Sequence, residues 1–532
     1  MIKPEVNMYL PRWILTLAAT ILACCQVFSQ KYDYNYLIRS SIIGSGISVS
    51  YIDSLQDIHF QPFQWEGTVS GTPVLSDKEG NYLGYFNSRN LYDSLGRVAI
   101  NGDSMAVGFY QNYLFQYSEE HEGLGNGGNC AFIPINDSLY YLFYSSAELW
   151  AGAPGFAIDF SEKNLLLTSY ADGLYLTKVR LNPDRTLYIL PHEKHILLIN
   201  KLFQFANLMF CKQHNNDGWW LIIPNALDSL ATRVMIEANG EVQQLLDVPF
   251  SSNYWRVRTD TGFDFSSDGQ YLARIIHRAK SIFEDILEIY SFDRCDGEVR
   301  LLEMDSFPIP EYFSHRADVK FSNEGYLLYM AFGSYILQFN LNDLNPLENP
   351  DTIGVYDGFE YFGLHPIFDG MWKLPNGRIL VSGGEFTPYL HYIENPDELG
   401  SNCNFVQRAI QLPPDPLNEG FGITVRNLPS FPPFRMPPLD QPCNTSTDEA
   451  LDQTIIKVFP NPTFDIFSIT CSTIINEVIV FDLNGIEVMK VFLSGYEDHY
   501  EFSLENWPAG MYMVVCRDSQ GYIVGSKKLV RI

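Results

Sequence analysis

One phrase, repeated, constrains this chain more than anything else in it. It is a strand carrying an aromatic or apolar residue, a short turn built on Asp, Asn or Gly, and then a second apolar strand. It is clearest in "FDFSSDGQYLARI" (263–275) and "VKFSNEGYLLYMA" (319–331). Looser copies are "SDKEGNYLGYF" (76–86), "IPINDSLYYLFY" (133–144), "CKQHNNDGWWLII" (211–223) and "WKLPNGRILVSGG" (372–384). The turn glycines Gly218, Gly269, Gly325 and Gly377 are separated by 51, 56 and 52 residues, a period that signals a repeat architecture. Each phrase reads as a hairpin, with Asp-Gly or Asn-Gly relieving the positive φ of a tight turn. "YLLYMA" and "WWLII" are unbroken apolar runs, as expected of strands covered on both faces. One small sheet cannot bury both faces alone, so units of about 50 residues are expected to stack radially as the blades of a β-propeller. The fold class is therefore all-β. Residues 31–440 are expected to form a propeller of about seven blades, with six or eight left open, and a small β-sandwich C-terminal domain follows over 454–532.

Composition narrows what such a ring can meet. A chain of 532 residues is long for one domain, and its 14% aromatic content suits half-buried strands. A formal charge of −28 argues against nucleic acid, which needs a basic footprint, and against anionic membrane surfaces. Near the N-terminus, Lys3 and Arg12 precede the apolar run "WILTLAATILA" (13–23), so residues 1–29 read as an export signal peptide. That run is too short to span a bilayer, and no transmembrane segment is expected in the mature protein. Export puts the cysteines in an oxidising compartment. Nine cysteines less Cys24 and Cys25 leave seven, so at least one is unpaired. Cys403 with Cys443 and Cys471 with Cys516 are the expected bridges, the connectivity being open at this stage. Residues 428–453 are rich in proline and read as the last propeller connection, followed by a linker at 441–453.

The tail has strand signals of its own. "VIVFDLNGIEVMKVF" reads as a hairpin around Asn484-Gly485, "HYEFSLENW" alternates Tyr500, Phe502 and Leu504 to one face, and "WPAGMYMVV" turns at Pro508 to Gly510. The order of these pieces resembles the type A C-terminal sorting domain of the type IX secretion system. The matching residues are Pro460, Asn461 and Pro462; Asp482, Asn484 and Gly485; Pro508, Gly510 and Tyr512; and Lys528 with Leu529. Trp507 stands where a Leu is usual. The resemblance implies recognition by the type IX translocon after passage through the periplasm, and a final location in the medium or attached to the cell surface, at the outer membrane. The ring in turn resembles a family of exported Bacteroidetes-type propeller proteins with WD-like repeats and no agreed activity, through "SDKEGNYLGYFNSRNLYDSLG", "FCKQHNNDGWWLIIPN", "YSFDRCDGEVRLLE" and "LPSFPPFRMPPLDQPC".

Motifs for chemistry are sparse. "GLGNGG" (123–128) matches G-x-G-x-x-G, but strand-like sequence follows it where a dinucleotide site needs a helix. "HEKH" (192–195) offers two imidazoles without a third ligand and reads as a turn. Asp264 and Asp268 fail the EF-hand pattern and fit a hairpin turn. No G-x-S-x-G elbow occurs. No catalytic, cofactor or metal residue is assigned. The expected role is a binding or interaction module for a surface glycan or protein. The alternatives are an extracellular hydrolase of polysaccharide or peptide, whose paired carboxylates leave no fixed spacing, and a structural or adhesion component.

Overall fold

The computed structural model describes residues 30–531 apart from 40–44, 53–56, 65–72, 106–129, 146–147, 150–168, 205–207, 226–228, 251–261, 280–282, 309–316, 344, 362, 364–366, 384–386, 416–417, 423–430, 440–442, 444–455, 460, 462, 472–474, 483–486, 494–498, 505–506 and 518–522. The expected signal peptide, "GLGNGG", Pro460, Pro462, Asn484 and Gly485 lie outside the described residues. The chain forms two compact units, one to Cys443 and one from Asn444.

All six phrases are hairpins, and each supplies the first two strands of one sheet. The pairs are Val74–Ser76 with Tyr82–Phe86, Cys130–Asn136 with Leu139–Ser145, and Met209–Lys212 with Trp219–Pro224. They continue as Phe263–Phe265 with Tyr271–Ala279, Ala317–Phe321 with Leu327–Phe332, and Met371–Lys373 with Ile379–Ser382. Among the described residues a third antiparallel strand extends each of them, and a fourth extends all but the Val74–Ser76 sheet. A further sheet, Asn35–Arg39, Ser45–Ile52 and Asp57–Gln64, precedes them without the phrase.

Seven sheets thus follow one another among the described residues of the first unit, alongside one two-stranded ribbon at 414–422. Each packs on the next through apolar side chains, because each has two faces to cover. Leu37 of the first meets Val74 and Tyr85 of the second. Phe86 lies 5.7 Å from Tyr144 of the third, and Phe143 lies 5.5 Å from Phe210 of the fourth. Trp220 and Met209 pack with Phe265 and Tyr290 of the fifth, Ile275 and Leu287 with Val319 and Leu328 of the sixth, and Tyr329 with Met371 and Val381 of the seventh. Trp372 of the seventh returns to Tyr36 of the first, ring centroids 5.7 Å apart. The order closes on itself, as a β-propeller requires.

Gly269, Gly325 and Gly377 take the positive φ their turns need, at 72°, 81° and 91°. Gly218 does not, because Asn216 holds the left-handed position there at 65°. Gly218 is required instead by close approach, since a Cβ would fall 2.6 Å from the backbone carbonyl oxygen of Ile236.

The seventh sheet carries an acid-sensitive core histidine. His391 is buried edge-on to Phe368, and its Nδ1 accepts the Arg408 backbone N–H at 3.0 Å, so the ring is neutral. Burial, assisted by the Arg408 charge, pulls its pKa down to about 4 against a weaker opposing pull from Asp357. The unfolded ring titrates near about 6.5. Between those values the unfolded chain holds a proton that the folded chain refuses, so this contribution is complete above about pH 6.5 and is lost as pH falls toward 4, by about 3 kcal/mol. His391→Asn keeps an acceptor and removes the titration. Urea midpoints of the variant should fall less steeply with acid than those of the wild type. Parallel pH profiles would show that His391 is not the sensitive group.

The second unit is a β-sandwich. A sheet of Ile456–Phe459, Ile466–Cys471 and His499–Ser503 faces one of Glu487–Phe492, Glu477–Phe481, Gly510–Arg517 and Ile523–Arg531. Tyr500, Phe502 and Leu504 all point into the shared core with Val478, Val514 and Leu529, as their alternation predicts. Among the described residues no helix is long and apolar enough to cross a membrane.

Candidate functional site: the ring axis and the sorting unit

First strands line the axis of the ring. A cavity of about 250 Å³ is walled by Asp264, Lys320, Trp372 and Lys373 from three successive sheets. Their turns add Ser267 and Asn323. Across this end lies the proline-rich segment 431–436, which forms the remaining wall together with Asp33. Proline cannot join a ladder, so these residues cross the axis as a strap instead of adding a strand. Phe434 sits 5.3 Å from Tyr32 and 5.6 Å from Trp219, and Phe431 sits 6.3 Å from Trp372.

Two arginines fasten the strap. Arg435 forms a bidentate pair with Asp33, at 2.8 Å from Nε and 2.7 Å from Nη2. Arg294 engages all five of its N–H donors. It donates to the carbonyls of Lys212 (3.0 Å), Asp268 (2.9 Å), Pro437 (2.7 Å) and Gln213 (2.8 Å), and to Asn216 Oδ1 (2.9 Å). Burial lowers the pKa of this guanidinium and, with the Arg294 charge, that of the neighbouring Lys212 ammonium to about 8. Met436 lies directly over Gly269, where a Cβ would come within 2.6 Å of its sulfur.

The strap ends in a disulfide between Cys295 and Cys443, which corrects the expected Cys403–Cys443 bridge. Cys403 is buried at the end of the 3-10 turn Gly400–Cys403, between the last two strands of the seventh sheet, where its thiol meets Tyr329 and burial raises its pKa to about 11. Cys443 is the last residue of the first compact unit. Cys516 is buried in the sandwich, but the side chain of Cys471 lies outside the described residues, and with it their expected pairing.

The carboxylates of the cavity have structural partners. Asp264 accepts the Phe321 N–H at 2.9 Å, and Asp33 is held by Arg435. Lys320 donates to Val319 O (2.9 Å), Asp318 Oδ1 (3.2 Å) and Phe263 O (3.3 Å), and Lys373 to Phe321 O (3.2 Å). Asp268 accepts from Ser266 and from the Gln270 N–H inside its own turn. "HEKH" is a turn in which His195 Nδ1 bonds the Tyr144 hydroxyl at 2.8 Å. Trp219 and Trp220 are both core residues. Sequence reading had no access to Arg294, Arg435 or Cys295, since an isolated Arg or Cys acquires its role only when distant segments converge.

In the second unit the two ends of the expected sorting pattern meet. Asn461 Nδ2 donates to Lys528 O at 2.6 Å, and Asn461 Oδ1 accepts the Val530 N–H at 2.8 Å. Thr463 N–H donates to Val530 O at 2.9 Å, and Arg531 Nε to Phe464 O at 3.0 Å. Leu529 is buried beneath while Lys527 and Lys528 are exposed. The Tyr512 hydroxyl donates to Pro508 O at 2.6 Å, closing the turn before Gly510, and its ring packs 5.0 Å from Trp507. Asp482 ends the hairpin strand Glu477–Phe481.

Residues 457–531 match the family of secretion system C-terminal sorting domains. The tail is a sorting domain. It directs export through the type IX system to the cell surface or the medium. No curated protein matches the chain as a relative. Among solved structures, the periplasmic gluconolactonase of Pseudomonas aeruginosa aligns at 10% identity over 67% of this chain and 92% of its own, with a TM-score of 0.30. The hydrazine synthase of Kuenenia stuttgartiensis aligns at 11% identity over 69% and 90%, with a TM-score of 0.35. An oligogalacturonate lyase in complex with manganese aligns at 11% identity over 66% and 86%, with a TM-score of 0.31. At such scores none of the three bears on what this chain does, and its own sheets carry the fold.

Proposed function

We propose that this protein is a surface-delivered propeller of seven blades that binds a glycan or protein ligand at its ring axis. It enters the periplasm by its N-terminal signal, and the type IX translocon handles its tail. The observation that supports binding is the axial cavity beside the strap. Its walls mix an aromatic face, hydroxyls, an amide and ammonium groups, the donor-rich lining that a polar ligand requires. Of the three N–H donors on Lys373, one is engaged among the described residues. Both cavity carboxylates already serve structural partners, which favours binding over the paired acid and base of a glycosidase.

A thermal-shift screen of the full chain against neutral and uronic oligosaccharides and surface-protein fragments tests this. A ligand at about 100 times its Kd stabilises by about 2.7 kcal/mol. For a ring of about 410 residues that is about 3 °C, given about 2.1 cal/mol/K of unfolding entropy per residue. The shift should vanish in Lys373→Glu. Release of shortened oligosaccharides or peptides would establish a hydrolase instead, and a flat response throughout would leave a structural surface component.

A further inference from the structure

Beside the strap, away from the cavity, His214, Cys295 and Cys443 bring one imidazole nitrogen and two sulfurs within 4.8 Å of one another. The sulfurs are bonded to each other, but the bond is not what assembles the three residues. His214 N–H donates to Arg294 O at 3.1 Å, and Leu439 N–H donates to His214 O at 2.9 Å. Trp220 Nε1 donates to the same Arg294 carbonyl at 2.9 Å, while Arg294 itself grips Gln213 O and Pro437 O. Gln213 and Arg294, which precede His214 and Cys295, are therefore tied to Pro437 and Leu439, six and four residues before Cys443, by hydrogen bonds that do not involve sulfur. All three ligand residues are half-buried, and Asp293 and Asp296 flank Cys295 with negative charge.

Two thiolates and an imidazole are the donor set of a zinc site with one open position. Bonds of about 2.3 Å to sulfur and about 2.0–2.1 Å to nitrogen place tetrahedral ligand atoms about 3.5–3.8 Å apart, a spacing this cluster reaches by small side-chain rotations. The Cα atoms of the two cysteines are 5.6 Å apart, so no backbone movement is needed to admit the ion between them. We propose that, once the Cys295–Cys443 bond is reduced, His214, Cys295 and Cys443 bind a thiophilic divalent cation of the zinc type, with water in the fourth position. An external thiol or phosphine supplies the two electrons that cleave the S–S bond, giving two thiols. The cation then takes both as thiolates together with neutral imidazole, releasing two protons. The clasp on the strap is thereby kept in either redox state, by a covalent bond or by a metal.

The test uses the full chain reduced with a phosphine and titrated with cobalt(II), a coloured stand-in for zinc. The reduced protein should take up one equivalent with thiolate-to-cobalt charge-transfer and tetrahedral ligand-field bands, and zinc should bleach them. The oxidised protein should give none, and neither should the Cys295→Ser, Cys443→Ser double variant, which also subtracts any uptake by other cysteines. His214→Ala and His214→Gln should each weaken binding at least about tenfold, since even an outer-shell partner is worth about 10–100-fold. Near-UV circular dichroism follows folding throughout. Uptake by the reduced wild type no greater than by the serine pair overturns the proposal, as does unchanged affinity in both His214 variants. Loss of the near-UV signal on reduction overturns it as well, because the site requires a scaffold that outlives the bond.

Discussion

A chain ending at Gln453 should accumulate in the periplasm, absent from surface and medium, with its ring still folded. The sorting unit begins at Asn444 and has its own core, built on Phe467, Val478, Val514 and Leu529, and among the described residues the blade clusters are built from side chains of the first unit. Fractionation with immunodetection should place the shortened chain behind the outer membrane, and its melting temperature should match that of the ring transition in the full protein. Leu529→Asp should reproduce the export defect without truncation. A charge in a fully buried position costs several kcal/mol, which a sandwich of this size cannot absorb. Surface delivery of the shortened chain at the full-length level would show that the ring carries its own export signal. Collapse of the ring on truncation would instead show that its stability depends on the tail.

Local information was enough for most of the ring and failed where distant segments decide. Six hairpins were legible because the features that make them, a short turn built on Asp, Asn or Gly between apolar strands, sit within about a dozen residues. The first sheet lacks that turn, and what places it is packing: Tyr36 against Trp372, more than 300 residues away in the chain. The prolines at 432 and 433 announced a segment outside the ladders, but nothing local says that it turns at Phe434 and Arg435 or that Phe434 will lodge between Tyr32 and Trp219. Cysteine pairing failed for the same reason. Cys403 and Cys443 are near in sequence, yet Cys403 is buried between the last two strands of the seventh sheet while the strap carries Cys443 to the turn holding Cys295. The sorting pattern was legible as a pattern. Its physical content, with Asn461 pairing to the last strand through both ends of its amide, became visible only when residues nearly 70 apart were brought together.

Reduction of the Cys295–Cys443 bond without added metal should destabilise the ring by about 2–5 kcal/mol, toward the upper end because the bond closes a loop of 148 residues. Cross-linking acts mainly on the unfolded chain, whose ends are otherwise free to separate, and the entropy removed grows with loop length. For about 410 residues the melting temperature should fall by about 2–6 °C. The folded ring should change little, because the strap keeps its other attachments: the Arg435–Asp33 pair, the Arg294 contact to Pro437 O and the burial of Phe434. Near-UV spectra of reduced and oxidised protein should therefore coincide at low temperature, and the serine double variant should melt with the reduced form. Zinc added to the reduced wild type should restore part of the loss, whereas the serine pair should not respond. A melting temperature indifferent to reduction would mean that the strap's non-covalent contacts already restrict the unfolded loop. A much larger fall, with the near-UV signal lost at every temperature, would mean that the strap is the closure of the ring and the seven sheets cannot stay together without it.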